Sequence, residues 1–300
     1  MDVSPRKKNG TRKPAREDID VLRSGQALLS YFGLSGDFDE QALRENAQAD
    51  LAIIIIRNRI LDLSLPPGSR IDDGLLMDRF KMGRTPAREA FNRLSSEGLI
   101  IIQRNRGAFV RPMDIVHIRQ FFDAYIASER VVGFYCRLDD ATLGVDLAAI
   151  QRDYLRAYAA GEFQRMTHLN ARLHARIAVA TRNEYVAENA LRLYNHARRL
   201  SYFVSLLEQD FIPDLHETQA LIKADHEDII RAAGKRAGGK LVDILTRHAA
   251  MFHSRIMRVI ARTSGAGAPL PVLLPHEPRA PAPKRAPAPK RAPARRRTRT

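Results

Sequence analysis

One short segment, residues 99–110, departs from the helical spacing of apolar residues that runs through most of this chain. Leu99-Ile100-Ile101-Ile102 is a β-branched run, Asn105-Arg106-Gly107 favours a turn, and Ala108-Phe109-Val110 follows it. Two short apolar runs on either side of an Asn/Gly turn predict a β-hairpin. A single hairpin in an otherwise helical chain indicates a mostly α fold with one small sheet.

Three helices are predicted on the N-terminal side of this hairpin, near residues 47–63, 75–80 and 85–97. Pro66-Pro67-Gly68 ends the first of them because proline cannot continue a helix. Pro86 falls in the first turn of the last helix, where its missing N–H costs nothing, and Gly98 follows in the position of a C-cap. Three helices followed by a basic-tipped hairpin give the order of a winged helix-turn-helix, which we assign to residues 47–112.

Apolar residues recur every three or four positions through the second half of the chain, which predicts a run of amphipathic helices. These predicted helices lie near residues 114–138, 142–160, 162–181, 184–209, 214–233 and 239–262. A six-helix bundle over residues 113–263 is the economical arrangement for such a run. The predicted fold is therefore mostly α, with an N-terminal winged helix-turn-helix, its small β-hairpin wing, and a C-terminal all-helical bundle.

The net charge of +15 is concentrated at the two ends of the chain. Residues 1–16 hold six Lys/Arg against one acid, and residues 264–300 hold nine against one. Like-charged segments rich in Pro, Ala and Gly bury little apolar surface, so we expect both basic tails to be disordered and to contact polyanions. Residues 17–46 are expected to form a helical N-terminal extension.

Composition also narrows the expected location of the protein. The single cysteine, Cys136, excludes an internal disulfide framework and suits a reducing compartment. The densest apolar run, Leu51 to Ile56, is far shorter than the roughly 18 residues of a membrane span. We therefore expect a soluble cytoplasmic protein, associated with the nucleoid and with no membrane.

The second helix of the predicted helix-turn-helix begins with side chains that suit DNA. Arg84, Thr85 and Arg88 stand at its start, from which side chains enter the major groove. An arginine there can pair bidentately with O6 and N7 of guanine. These three residues are the candidates for reading base edges.

The predicted wing carries a second group of candidate DNA contacts. Arg104 and Arg106 suit the DNA backbone or the minor groove, and Gly107 permits the tight turn between the strands. The alternative is a solvated basic face on which arginines make internal pairs, such as Arg93 with Glu97.

Four segments of this domain carry a recognisable pattern, namely Pro67-Gly68-Ser69-Arg70-Ile71, Arg84-Thr85-Pro86-Ala87-Arg88-Glu89-Ala90, Glu97-Gly98-Leu99 and Arg106-Gly107-Ala108-Phe109-Val110. With these segments, residues 53–111 resemble, without gaps, the DNA-binding domain of the GntR family of bacterial regulators. The chain departs from the family at Gly83, where a Ser or Thr usually caps the helix. The resemblance implies a sequence-specific transcription regulator, expected to be a repressor, that binds a palindromic operator in double-stranded DNA as a homodimer.

Three histidines, His174, His226 and His248, lie on core-facing stripes of three different predicted helices. A buried imidazole needs a polar partner, and three that converge in a bundle could hold one Zn²⁺ or Ni²⁺ ion. Such a site would leave coordination positions open for a small molecule. Taken singly, each histidine fits a hydrogen-bonded core residue better than a metal ligand.

This half of the chain also resembles the all-helical effector domain, called FCD, of the FadR-like branch of the same family. Many members hold a metal with an Asp, a His four residues later and two further His, and the spacing of the three histidines fits. The chain has Asn170 in place of the Asp. Family members often also have an arginine four residues before a glutamate. Here the glutamate is Glu129, and Tyr125 occupies the position of the arginine. The resemblance implies a divalent metal, Zn or Ni, on Asn170 and the three histidines. It also implies a small-molecule effector, such as an organic acid, bound by those four residues and Tyr125.

Two other functions stay open at the level of sequence. The triple-histidine site could serve a metal-dependent enzyme, although no acid/base carboxylate can be named beside it. The C-terminal tail repeats Pro-Lys-Arg-Ala-Pro-Ala at 283–288 and 289–294, which would suit a general chromosome-coating protein. We expect a regulator and not an enzyme, because the Arg84–Arg88 pattern is suited to reading base edges.

Overall fold

The computed structural model of the chain describes residues 27–34, 48–71, 83–211 and 215–265. Several predictions fall outside these ranges: the basic arm over 1–16, most of the extension over 17–46, the helix near 75–80, and the tail beyond residue 265. Within the extension, residues 27–31 are helical as predicted.

The N-terminal domain combines two described helices with a three-stranded sheet. Its elements are α1 (Gln48–Leu61), β1 (Arg70–Ile71), α2 (Arg84–Ser96), β2 (Ile100–Gln103) and β3 (Gly107–Val110). The sheet is antiparallel in the order β1-β3-β2, and Ile101 and Phe109 face each other across the hairpin. The sequence pattern predicted the hairpin but not β1, because a two-residue strand is too short to show an alternation.

One apolar core holds this domain together. Ile53, Ile56 and Ile60 recur at helical spacing on α1 and are at most 2% exposed. They pack with buried residues of α2 and the sheet, among them Leu94 and Val110. Burial of a face with this spacing is the main stabilisation of a short helix.

The C-terminal domain is the predicted bundle of six helices. They are α3 (Ile115–Tyr135), α4 (Leu143–Ala159), α5 (Phe163–Val179), α6 (Glu184–Phe211), α7 (Leu215–Gly234) and α8 (Gly238–Gly265). α3 lies against α8 so closely that a Cβ added at Gly133 would stand 2.9 Å from the Cα of Val242. Within the part of the chain that the structure describes, no helix is long and apolar enough to cross a membrane.

The segment over residues 27–34 contacts both domains. Phe32 and Leu34 are 1% exposed and belong to the core of the helical bundle. The Asn195 side chain on α6 donates a hydrogen bond to the Phe32 carbonyl at 3.1 Å. On the other side, the guanidinium of Arg93 on α2 lies 3.6 Å from the centre of the Tyr31 ring. This segment therefore connects the end of α2 to the bundle.

Candidate DNA-binding face and candidate metal centre

α2 presents its first turn to solvent because its other face is anchored in the domain core. Arg84, Thr85 and Arg88 are exposed, whereas Ala87 and Phe91 are buried. The residue before the helix, Gly83, is extended and makes no side-chain capping hydrogen bond, as its lack of a side chain requires. The free N–H groups of the first turn are thus left for solvent or for a phosphate.

The wing brings a second set of basic side chains beside α2. Arg104 and Arg106 are exposed at the turn between β2 and β3. Asn105 and Gly107 take positive φ angles of 61° and 95°. Asparagine and glycine are the residue types that best tolerate this conformation. The Arg106 guanidinium lies 5.7 Å from the centre of the Phe109 ring.

A groove runs between α2 and the wing. Its lining includes Arg84, Arg88 and Asn92 from the helix, and Ile102 and Gly107 from the strands. Exposed arginines beside a groove at a helix N-terminus can bind a polyanionic backbone and reach base edges. Three of the six predicted DNA-contact residues, Arg84, Arg88 and Gly107, line this groove, and the other three, Thr85, Arg104 and Arg106, are exposed.

The alternative internal pair between Arg93 and Glu97 is not what the structure shows. Arg93 donates to Asp50 on α1 at 2.9 Å. Glu97 is buried and accepts two hydrogen bonds from Arg57, at 3.0 and 2.5 Å. These arginines fasten α2 to α1 and to residues 27–34, while the basic residues of the first turn remain exposed.

The three histidines of the bundle meet in its interior. His174 on α5, His226 on α7 and His248 on α8 are 1%, 0% and 4% exposed. One nitrogen from each ring lies within 4.8 Å of the other two. Ring centres are 5.1 Å apart for His248 with either neighbour and 6.2 Å apart for His174 with His226. Three imidazoles at these separations form a set that one metal ion could bind.

The three rings share one pattern of hydrogen bonding at Nδ1. The Nδ1 of His174 lies 3.0 Å from Glu129, that of His226 lies 2.7 Å from Gln151, and that of His248 lies 3.3 Å from Asp225. Each partner offers an oxygen that can accept from an N–H at Nδ1, and in that tautomer Nε2 is the nitrogen with a free lone pair. Metal-binding histidines are commonly oriented by such an outer acceptor.

The electrostatics favour a neutral imidazole at His226 and at His248. Burial lowers the pKa of His226 well below its usual value, and His248 and His174 lower it further. Burial also lowers the pKa of His248, although its hydrogen bond to Asp225 acts in the opposite direction. The Nε2 atoms of His174 and His226 are buried without a hydrogen-bond partner among the described residues. Orphaned, unprotonated nitrogens are what a divalent ion such as Zn²⁺ or Ni²⁺ requires, so the residues present fit a metal.

The predicted effector residues Tyr125 and Asn170 line a small cavity together with His248. Tyr125 is buried, and burial together with the charge of Glu129 raises the pKa of its hydroxyl. The cavity measures 20 Å³, which is room for about one water-sized group. A larger effector could enter only if lining side chains moved.

Sequence reasoning missed several polar residues around this centre. Gln151 and Asp225 orient two of the histidines, but only the fold brings Gln151 on α4 beside α7. Arg255 lines the same cavity as Asn170 and is held by Glu208 through two hydrogen bonds, at 2.8 and 2.5 Å. The only sequence feature that could have pointed to one of these residues is that Asp225 directly precedes His226.

The family model described as "Bacterial regulatory proteins, gntR family" matches residues 51–110, which is the N-terminal domain. An uncharacterized HTH-type transcriptional regulator from Agrobacterium vitis is 29% identical over 127 residues, which are 42% of this chain and 72% of that protein. The Nta operon transcriptional regulator of Aminobacter aminovorans is 32% identical over 125 residues, which are 39% of this chain and 56% of that protein.

A solved structure extends the likeness in fold to most of the chain. A GntR transcriptional regulator from Rhodococcus sp. RHA1 matches with a TM-score of 0.59 and 18% identity, over 71% of this chain and 99% of that one. At this identity, the likeness concerns the fold and not the ligand. It supports the arrangement of a winged-helix domain followed by a helical domain.

The fold, the exposed basic face and the relatives together define a class: this is a DNA-binding transcription regulator, and neither the family nor the relatives are enzymes. The likeness to the GntR family of bacterial regulators lies in the winged-helix domain, residues 51–110. The metal-dependent enzyme considered from the triple-histidine pattern is therefore set aside.

Proposed function

We propose that the protein is a sequence-specific repressor that binds a palindromic DNA operator as a homodimer, in the cytoplasm and associated with the nucleoid. The observation that carries this proposal is the exposed face formed by the first turn of α2 and the wing. Arg84 and Arg88 line a groove at a helix N-terminus, Gly107 of the wing lines its other side, and Arg106 is exposed at the turn of the wing. One such face covers one half-site, and two related by a twofold axis would cover half-sites about one helical turn apart.

Selection from a random DNA library with the full chain tests this proposal. We expect enrichment of an inverted repeat whose half-sites are about 10 base pairs apart, bound by two chains per duplex. Mass photometry of the selected complex gives the stoichiometry. Enrichment of no motif would contradict sequence-specific binding, and one chain on a single half-site would contradict the homodimer.

We further propose that His174, His226 and His248 hold a divalent metal, with Asn170 as a weaker oxygen ligand. Support comes from the convergence of the three rings and from the unpaired Nε2 atoms. A bound Zn²⁺ or Ni²⁺ ion would supply a Lewis acid with open positions for the oxygens of a small effector, such as an organic acid. Tyr125 and Asn170 would orient that effector.

Elemental analysis of the purified full chain tests the metal proposal. We expect about one Zn or Ni per chain in the wild type and its loss in His226→Ala. His117→Ala removes an exposed imidazole outside the centre and serves as the matched control. A wild type that stays free of metal after incubation with Zn²⁺ or Ni²⁺ would contradict the proposal.

The size of the cavity suggests how an effector would influence DNA binding. Because 20 Å³ admits about one water-sized group, an effector would have to displace lining side chains such as Met251 or Phe252. Effector-bound and effector-free chains would then differ in packing between α8 and its neighbours. A ligand shifts DNA affinity only through such a difference between two arrangements.

A further inference from the structure

A second cavity lies at the junction of the two domains, apart from the histidine centre. It measures 290 Å³, close to the lower end of the range for small-molecule sites. Gly98 and Arg111 border it from the winged-helix domain, and Phe121, His196 and Arg199 border it from the bundle. It shares no lining residue with the cavity that contains Asn170 and His248.

Arg199 on α6 is the unusual member of this lining. The side chain is 2% exposed, and one Nη donates to the carbonyl of Arg111 at 2.9 Å. Its Nε is buried and has no hydrogen-bond partner among the described residues. A buried guanidinium normally takes a carboxylate as partner, because an uncompensated charge is costly to remove from water.

The carboxylates that border this junction are already engaged by other groups. Glu97 is occupied by Arg57, and Asp114 accepts from His117 at the cavity mouth. No Asp or Glu is among the described residues that line the cavity. Burial and the neighbouring Arg111 lower the pKa of Arg199 to about 9, as expected for a cation that lacks a counter-charge.

The other polar side chains of the lining, Arg111, His117, Gln120 and His196, carry no carboxylate. Arg111 uses its Nε to donate to the Gly98 carbonyl at 2.5 Å, and its terminal nitrogens donate to no other described residue, so they could bind an anion. His196 contacts the Glu97 carbonyl at 3.1 Å. The rest of the surface is mainly apolar and includes Phe121 and Leu193. A small carboxylic acid with an apolar body matches this combination, because its carboxylate can take a bidentate pair with a guanidinium.

We propose that this junction cavity binds a small organic carboxylate, with Arg199 as its main partner and Arg111 as a second. The site is distinct from the proposed effector site at the histidines and does not depend on a metal there. Its ligand would touch Gly98 just beyond α2, Arg111 directly after β3, and α6 of the bundle. Occupancy would therefore join the two domains directly.

Isothermal titration of the full chain with benzoate tests the proposal, with benzamide as the neutral analogue. We expect saturable binding of benzoate and none of benzamide. Arg199→Met removes the charge but keeps much of the side-chain volume, and we expect it to weaken benzoate at least about tenfold, since hydrogen bonds to charged groups are the strong ones. Arg192→Met, at an exposed arginine of the same helix, should bind benzoate as the wild type does.

Two further variants keep the test decisive. Leu193→Phe narrows the cavity without changing its charge, so we expect weaker benzoate binding even if Arg199→Met proves hard to purify. His226→Ala disables the histidine centre, and benzoate binding at the junction should survive in it. The proposal is overturned if the wild type does not bind benzoate, or if Arg199→Met binds benzoate normally. It is also overturned if His226→Ala rather than Arg199→Met abolishes binding, because the acid would then occupy the bundle cavity.

Discussion

Replacing Glu97 by Gln tests the buried ion pair that fastens the end of α2 to α1. Arg57 and Glu97 are 2% and 4% exposed and share two hydrogen bonds, at 3.0 and 2.5 Å. Removing one partner of such a pair costs about 3–5 kcal/mol, because the other charge stays buried without compensation. Gln keeps the shape and one acceptor oxygen, so we expect a loss of about 3 kcal/mol.

A second cation increases the cost of neutralising Glu97. The Arg198 guanidinium lies near Arg57, and burial together with the repulsion from Arg57 lowers the pKa of Arg198 to about 10 although Asp62 raises it. Neutralising Glu97 removes the negative charge that offsets the repulsion between the guanidinium groups of Arg57 and Arg198. We therefore expect Glu97→Gln to fall in the upper part of the distribution of single-mutant effects, well above the typical value of about 1 kcal/mol.

Calorimetric unfolding of the full chain measures this effect, with Glu188→Gln as the control at an exposed pair with Arg192. The control should change stability by less than about 1 kcal/mol. The double variant Arg57→Met/Glu97→Gln should be more stable than Glu97→Gln alone, because it leaves no buried cation. If Glu97→Gln unfolded within about 0.5 kcal/mol of the wild type, the reasoning about this pair would be wrong.

Three further predictions concern other parts of the chain. Burial and nearby Arg199 lower the pKa of His196 to about 4, whereas in the unfolded chain it titrates near 6.5. Stability should thus be lost as the pH falls from 6.5 to 4. Urea titrations at pH 6.5 and pH 4 measure the loss of unfolding free energy between the two values. We expect this loss to be smaller in His196→Gln than in the wild type by up to about 3 kcal/mol. Gly133→Ala should cost about 1–3 kcal/mol in thermal unfolding, because its Cβ would meet Val242 at 2.9 Å, and an unchanged melting temperature would contradict the close packing. Truncation after Gly265 removes nine Lys/Arg and should weaken binding to all DNA and flatten its salt dependence, and an unchanged slope would mean that the tail does not contact DNA.

Helix α2 and the hairpin of the winged-helix domain could be predicted from the residue types at their ends. Pro86 and Gly98 mark the two ends of α2, and a β-branched run with an Asn/Gly turn marks the hairpin. The strand β1 was not readable, because Arg70 and Ile71 become a strand only by pairing with β3. Helix positions in the bundle followed from apolar spacing, with ends that differ from the prediction by at most three residues.

The candidate site was predictable only in part, and the reason is physical. Helical spacing placed His174, His226 and His248 on buried faces, which is a local property of each helix. The acceptors at Nδ1 are tertiary partners, and nothing near Gln151 in sequence connects it to a histidine 75 residues away. The role of residues 27–34 at the junction was equally hidden, because it depends on how two domains pack.

The central claim is that α2 reads DNA sequence through the side chains of its first turn. The most direct test is equilibrium binding of the full-length protein to the duplex obtained by selection, at one fixed salt concentration, for wild type, Arg88→Ala and the exposed control Arg192→Ala. We expect Arg88→Ala to lose about 1–3 kcal/mol of binding free energy and to accept other base pairs at one position of each half-site, while Arg192→Ala binds as the wild type does. An Arg88→Ala variant with unchanged affinity and base preference would contradict the assignment of α2 as the recognition helix.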